Sequence, residues 1–335
     1  MYRPCRILST HLPKALVSMV RSSLPAYDIG HAISSIGQAI TRRLIALAEE
    51  RFGKPPIPYA FIVAGSMARR EQTAHSDQDN GMILSDEYDE ATHGEYFQNI
   101  AKFVSDGLDA CGYIYCPGNI MATNPKWRQP VSVWRQYFVD WIERPEPKAL
   151  LYSSIFFDLR SLYGEDSLLN ELRREILQKT QKGSLFQAFM AANALNYQPP
   201  LGIFKGFVLE KNGENGKALD MKKRGVVPVI DLARVYALSM GIEVLNTCER
   251  LDEIGKATGG LSAESIADLK DAFEFISTTR LEHQALQIEA GKAPDNYVPP
   301  EQLSALERRH LKDAFEVVSD VQNSMAHNYQ ANRFR

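Results

Sequence analysis

Long apolar runs are missing from this chain. No stretch reaches the roughly 18 consecutive apolar residues that a membrane-spanning helix needs, so the sequence predicts no bilayer span and no membrane partner. Cysteine is scarce: of 335 residues only Cys5, Cys111, Cys116 and Cys248 carry a thiol, and no two form a CxxC pair. That spacing disfavours a zinc ribbon or a disulfide framework and leaves buried free thiols as the reading of Cys111 and Cys116. The first 25 residues scatter Arg3, Arg6, Lys14 and Arg21 among short apolar pieces, without the continuous apolar centre or cleavage site of a secretory signal. The expectation is a cytoplasmic protein.

An excess of one charge is also missing. Lys and Arg total 38 against 41 Asp and Glu, a net charge of -3. Without a summed positive field, general nucleic-acid binding is not expected, although local basic patches remain. No G-x-x-x-x-G-K-[ST] occurs, no G-x-G-x-x-G after a strand, no H-E-x-x-H and no G-x-S-x-G. These absences disfavour a P-loop kinase, a dinucleotide enzyme, a zinc protease and a nucleophile-elbow hydrolase.

What is present is a chain of ordinary globular composition, 44% hydrophobic, long enough for two domains with separate cores. Residues 1–29 show no clean period and read as a leader or linker remnant. From Ile33, the apolar positions Ile36, Ile40, Leu44 and Leu47 follow at helical spacing as far as Gly53. Tyr59 to Ala64 reads as a strand stopped by Gly65-Ser66, with one or two helical turns over 68–72, and Met82 to Leu84 as a second strand. Residues 92–111 read as a helix, another begins near Ser132, and the apolar run 150–164, with Asp158 inside it, reads as a strand. Past Gly164 helical periods dominate, over 166–180, 184–196, 228–240, 263–290 and 302–328, interrupted by a hairpin near 203–225. The boundary is placed near residue 165, dividing a domain of 30–165 from one of 166–335.

The chemistry concentrates in 64–84, AGSMARREQTAHSDQDNGMIL. An extended segment projects alternate side chains to one face, so Asp77 and Asp79 share a side and Gln78 takes the other. Two carboxylates about 4 Å apart repel by about 4 kcal/mol at an effective dielectric of about 20. That is a large share of a typical domain's stability, about 5–15 kcal/mol. A divalent cation relieves the repulsion, and oxygen-only donors favour Mg2+ or Mn2+ over zinc. A solvated pair offset by Arg69 and Arg70 is the competing structural explanation. A calcium loop is disfavoured, because Gly81 falls one place early and Tyr88 stands where a bidentate Glu is needed. Gly65-Ser66, with ten residues between Ser66 and Asp77, adds a turn whose backbone N–H groups suit phosphate oxygens. Phosphate beside a carboxylate-bound cation is the setting of phosphoryl or nucleotidyl transfer.

Gly65-Ser66 followed by Asp77-Gln78-Asp79 resembles the signature of the DNA polymerase beta-like nucleotidyltransferases. GSMARREQTAHSDQDN, LDMKKRG, RLEHQALQIEAGKAPDNY and LERRHLKDAF are similar to a narrower nucleotidyltransferase family of unassigned role, related to the PII uridylyltransferases and often linked to CBS and cyclic-nucleotide-binding domains. The resemblance covers about 30 to 330. It implies an α+β fold: a small mixed sheet with helices, then a mainly helical domain. It also implies transfer of a nucleoside monophosphate from a triphosphate to a hydroxyl acceptor, with two Mg2+ ions (Mn2+ as substitute). Asp77 and Asp79 match the metal-binding aspartates, and Asp158 is the match for the third carboxylate, as metal ligand or proton acceptor. Ion pairing of Asp158 to Arg160 or another arginine is its structural alternative. Ser66 would contact the triphosphate and Gly65 would permit close approach. Met67 and Ala68 depart from the acidic residue and glycine common in relatives, and Gln78 and Asn80 from the apolar residues of the wider superfamily.

Further candidates carry bland counterparts. Arg69 lies inside the loop and is in reach of a nucleotide. Lys222, Lys223 and Arg224 form a cationic turn suited to phosphates or pyrophosphate, or else a solvated hairpin tip. Arg128 is a base or acceptor contact, or a brace for its loop. Arg280 and His283, three apart on one helical face, are cleft contacts or helix-packing residues. The resemblance suggests a protein acceptor by analogy with PII. The competing classes are a non-catalytic nucleotide sensor acting on a partner and a nucleotidyltransferase acting on a small molecule.

Overall fold

The computed structural model describes residues 3–74, 76–202, 206–212 and 216–334, the side chains of 3–8 and 212 excepted. The Cys5 side chain and hairpin positions 203–205 and 213–215 therefore lie outside the described residues. Contacts divide the chain into two units, Met1–Met19 with Asp28–Ile176, and Val20–Tyr27 with Leu177–Arg335.

In the first unit, α1 (Arg3–Arg21) and α2 (Ala26–Phe52) precede β1 (Tyr59–Ala64), the short α3 (Gly65–Arg69), β2 (Asn80–Leu84) and α4 (Glu90–Ala110). Then come β3 (Arg128–Pro130), α5 (Val131–Glu143), α6 (Pro147–Phe156), β4 (Leu159–Gly164) and α7 (Ser167–Lys182), which from Leu177 onward belongs to the other unit. The sheet has the order β3-β2-β1-β4; β1 is antiparallel to β2 and β4, while β2 and β3 run parallel. Every residue of β1 is buried, which is why YAFIVA shows no polar alternation: both faces of the strand are covered. Glu49 on α2 ties the sheet to that helix, accepting hydrogen bonds from Tyr59 Oη and Tyr163 Oη, each at 2.7 Å. Burial first, then this hydrogen bond, raises the Tyr59 pKa; at Tyr163 the Glu49 bond is the leading cause of a rise to about 12.

Two expectations for this unit are corrected. Residues 3–21, read as part of a leader, are helical, with Leu16 fully buried; Pro13 inside the helix interrupts the pattern that would have announced it. The run 150–164 is not one strand: 150–156 belongs to α6, and only Leu159–Gly164 is extended. Short apolar runs do not distinguish buried helix from buried strand by periodicity, but Pro147 in the first turn is a helix-start signal. Asp158 consequently stands just ahead of β4, not within it.

The second unit is mainly helical. It contains α8 (Ser184–Ala194), β5 (Glu210–Asn212), β6 (Gly216–Asp220), α9 (Val227–Met240), α10 (Thr247–Lys256), α11 (Ala263–Glu289), β7 (Tyr297–Val298) and α12 (Ala305–Asn328). The helix starts are written in the sequence: Ser304 and Glu307 form a capping box on α12, and Ser262 accepts from Ser265 N on α11. Leu269 and Ile276 of α11, with Leu311, Phe315 and Val318 of α12, are buried in the core. Helix α10 has no counterpart among the sequence expectations, although Asn246 caps it through Cys248 N and Glu249 N. β5, β6 and β7 form an antiparallel sheet in that order. The expected hairpin to 225 ends at Asp220; Met221–Val226 is a π-helical turn leading into α9.

Removing Glu49 leaves the buried Tyr59 hydroxyl without its acceptor. Glu49→Ala is expected to lower stability by about 1–3 kcal/mol, seen as a lower urea midpoint with unchanged slope. Tyr163→Phe, which removes the less buried of the two hydroxyls, is expected to cost less.

Candidate active site

The site forms where β1 ends. Ala64 N donates to the Asp79 carbonyl at 2.9 Å, so the segment ahead of β2 continues the pairing beyond the formal strand. On its other side that segment is joined to residues 113–122: Gln78 N donates to Ile114 O at 2.9 Å and Asn80 N to Ile120 O at 3.0 Å. The Asn80 side chain adds a bond, accepting from Ala122 N at 2.8 Å. The backbone of 77–80 is thus held from both sides. Gln78 is buried and donates through Nε2 to Ser105 O and Tyr113 O at 3.0 and 2.8 Å, while Asp77 and Asp79 are half-buried. The alternation expected from the sequence is present, and it turns the two carboxylates away from the core.

Gly65 follows directly at the end of β1. Its φ of +58° is left-handed, where a Cβ is strained, and a Cβ there would lie 3.0 Å from Asp79 Oδ2. The glycine therefore allows the carboxylate to stand against the turn. Ser66 is half-buried in the first turn of α3, and Arg70, left-handed at φ +60°, ends that helix.

A third donor joins the aspartates, and it is Cys116. Ligand atoms of Asp77, Asp79 and Cys116 all lie within 4.8 Å of one another, the group among the described residues able to share a cation. Burial first, then the Asp79 charge, pushes the Cys116 thiol up to about 11. Nothing in the linear spacing points to this residue: its proximity comes from the pairing of 113–122 with 77–80, a long-range contact. Cys111 and Cys116 are both buried, as expected. Two oxygen donors suit Mg2+ or Mn2+, whereas sulfur suits softer cations.

Asp158 reaches the same end of the sheet from the other side of β1, because Leu159 pairs with Ala64. Its backbone neighbour is thus about 10 Å, two strand spacings, from the Asp79 chain. The Asp158 carboxyl is fully buried, and its Oδ2 accepts from Arg69 Nη1 at 2.8 Å. Arg69 donates through Nε to Glu71 Oε2 at 2.7 Å, so one guanidinium serves two carboxylates. Arg160 instead donates to Ala68 O at 2.9 Å. Glu71 had no role in the sequence reading; only the folded turn brings it to Arg69.

Arg128 is buried, with Nη1 donating to Ala122 O at 2.6 Å and Thr123 O at 3.4 Å, and burial lowers its pKa. That is the geometry of a brace for the loop carrying Cys116. In the second unit, Arg280 is buried and donates to Asn296 Oδ1 at 2.6 Å; burial lowers its pKa to about 10, opposed by the Asp220 charge. His283 places its two ring nitrogens 3.2 Å from Gln302 Oε1 and Asp295 Oδ1. Both hold the 295–302 segment against α11. Lys222, Lys223 and Arg224 lie on the π-helical turn beyond the end of β6, outside the hairpin whose solvated tip was the alternative to a phosphate-binding turn. Asp220 Oδ1 accepts from Lys222 N and Lys223 N at 3.0 and 2.8 Å and so starts the turn. The Lys222 and Lys223 side chains are exposed, while Arg224 donates to Gln198 O at 3.0 Å.

Among the described residues no helix is long and apolar enough to cross a membrane. Comparison with curated proteins found no match. Family comparison matched residues 10–148 to "Putative nucleotidyltransferase DUF294" and residues 184–329 to "Putative nucleotidyltransferase substrate binding domain". With an N-terminal α+β domain carrying the Gly-Ser turn and paired aspartates and a helical region after it, the chain belongs to this nucleotidyltransferase family.

Proposed function

We propose that the protein transfers a nucleoside monophosphate from a nucleoside triphosphate to a hydroxyl acceptor, with Asp77 and Asp79 holding Mg2+ and the Gly65-Ser66 turn receiving the triphosphate. The observation that carries this reading is the contact at Gly65, where a carboxylate oxygen stands 3.0 Å from the position a Cβ would occupy. A cation held by that oxygen would lie beside the Gly65-Ser66 backbone, which supports the reading. Bound Mg2+ supplies neutralisation of phosphate charge and activation of the attacking hydroxyl. The acceptor oxygen forms a bond to the α-phosphorus while the bond to the β-phosphate oxygen breaks, and that electron pair leaves with pyrophosphate. Ser66 orients the phosphates. The acceptor proton passes to a site aspartate or to solvent, because the Asp158 carboxyl is fully buried against Arg69. The half-buried setting of Asp77 and Asp79 limits competing water.

The second unit matches a substrate-binding domain. Exposed Lys222 and Lys223 give it a cationic turn for an anionic substrate group. A signalling protein as acceptor, in the manner of PII uridylylation, is the preferred form of this reading. One observation favours a second reading, a non-catalytic nucleotide sensor: the Asp158 carboxylate is engaged by Arg69.

Incubating the protein with each α-labelled triphosphate, Mg2+ and lysate separates the two. Labelled acceptor with released pyrophosphate supports transfer; saturable nucleotide binding with no pyrophosphate supports the sensor. For transfer, Asp77→Asn is expected to fold normally and lose at least about 100-fold in turnover, equivalent to about 2.7 kcal/mol. Unchanged turnover in that variant removes the assignment. Gly65→Ala and Gly259→Ala form a matched pair, since both glycines have positive φ, +58° and +80°, but nothing lies within 4 Å of a Cβ at Gly259. Each is expected to lose about 1–2 kcal/mol of stability. Only Gly65→Ala should weaken Mg2+ binding, by about tenfold in calorimetric titration.

A further inference from the structure

We propose that Cys116 sets the metal preference of the site: Mg2+ is held through Asp77 and Asp79 alone, whereas a thiophilic divalent cation such as Zn2+ or Cd2+ takes the Cys116 sulfur as well and binds more tightly. This rests on reading the two aspartates as a cation site.

The first support is distance. Oxygen and sulfur donors at about 2.0–2.3 Å from a tetrahedral zinc lie about 3.3–3.8 Å from each other. The donor atoms of Asp77, Asp79 and Cys116 lie within 4.8 Å of one another, so a shift of about 1 Å closes them on one ion. The second support is the backbone that delivers the sulfur. Cys116 begins a tight turn, closed by Asn119 N donating to Cys116 O at 2.9 Å. Pro117 and Gly118 occupy its centre, and Asn119 takes the left-handed φ of +53° that asparagine tolerates. Bonds from Gln78 N to Ile114 O and from Asn80 N to Ile120 O fix this segment in register with the aspartates on both sides of the turn. Main-chain pairing therefore sets the backbones that carry the thiol and the carboxylates beside one another. The third support is ligand chemistry: Mg2+ keeps oxygen ligands and water, while zinc and cadmium prefer thiolate. When such a cation binds, the metal–sulfur bond replaces the S–H bond and the proton passes to solvent.

The test uses the full chain and reads binding, not turnover. Cd2+ is titrated into the wild type, Cys116→Ser and Asp79→Asn while the thiolate-to-metal charge-transfer band is followed in the near ultraviolet. Mg2+ binding is measured by calorimetry. The wild type is expected to develop the band, and added Mg2+ to compete with Cd2+. Cys116→Ser should lose the band and at least about tenfold in Cd2+ affinity, with Mg2+ affinity kept within about twofold; Asp79→Asn should weaken both. A band that persists in Cys116→Ser, no band in the wild type, or equal loss of both metals in Cys116→Ser would overturn the proposal. X-ray absorption of the Zn2+-loaded wild type needs no variant: one sulfur neighbour at about 2.3 Å is expected, and an all-oxygen or nitrogen shell overturns the inference. Absent nucleotidyl transfer with these metal results intact removes the proposed reaction and leaves the role of Cys116 standing; the reverse pattern removes the role alone.

Discussion

Two like charges held side by side at the end of a buried sheet are the constraint around which the first unit is built. Asp77 and Asp79 cannot relax apart, because the backbone between them is bonded to β1 on one side and to residues 113–122 on the other. Gln78, anchored between Ser105 and Tyr113 carbonyls, prevents the segment from rolling over. The repulsion is thus built into the fold, and a cation bound as proposed would relieve it. The missing side chain at Gly65, the thiol of Cys116 and the second carboxylate–guanidinium cluster at Arg69 are all arranged around that pair.

The second cluster shows how neighbouring charges are kept distinct. Arg69 sits between Glu71 and Asp158, so the fully buried carboxylate has a cationic neighbour within its own unit. A buried carboxylate without one would be costly. The aspartates of the site carry a different burden: they are half-buried and face a thiol. This division separates a part of the sheet end that is satisfied internally from a part suited to a ligand. The arginine that sequence reading offered to a nucleotide is engaged on the internal side.

Much of the architecture was legible in residue patterns. YAFIVA announced a buried strand, the helical periods of the C-terminal half appear as α7 to α9, α11 and α12, and the Asp-x-Asp alternation was readable from the two-residue repeat of an extended chain. The failures have physical causes. The 150–164 run was ambiguous because burial on all sides erases periodicity, and α1 was hidden by a proline within it. The cationic turn at 222–224 was placed on a hairpin because Asn and Gly announce a turn without fixing where the strand stops; Asp220 decides that by capping the turn that follows.

Local sequence determined the alternating aspartates, the Gly-Ser turn and the helix caps, since each depends on dihedral preferences and side-chain repeats within a few residues. Tertiary structure alone decided which groups became neighbours: Cys116 beside Asp79, Arg69 between Glu71 and Asp158, and Arg128 bonded to the Ala122 carbonyl. Those meetings arise from strand register and loop pairing between segments distant along the chain, and charge or thiol chemistry carries no mark in the sequence of the partner that folding will bring to it.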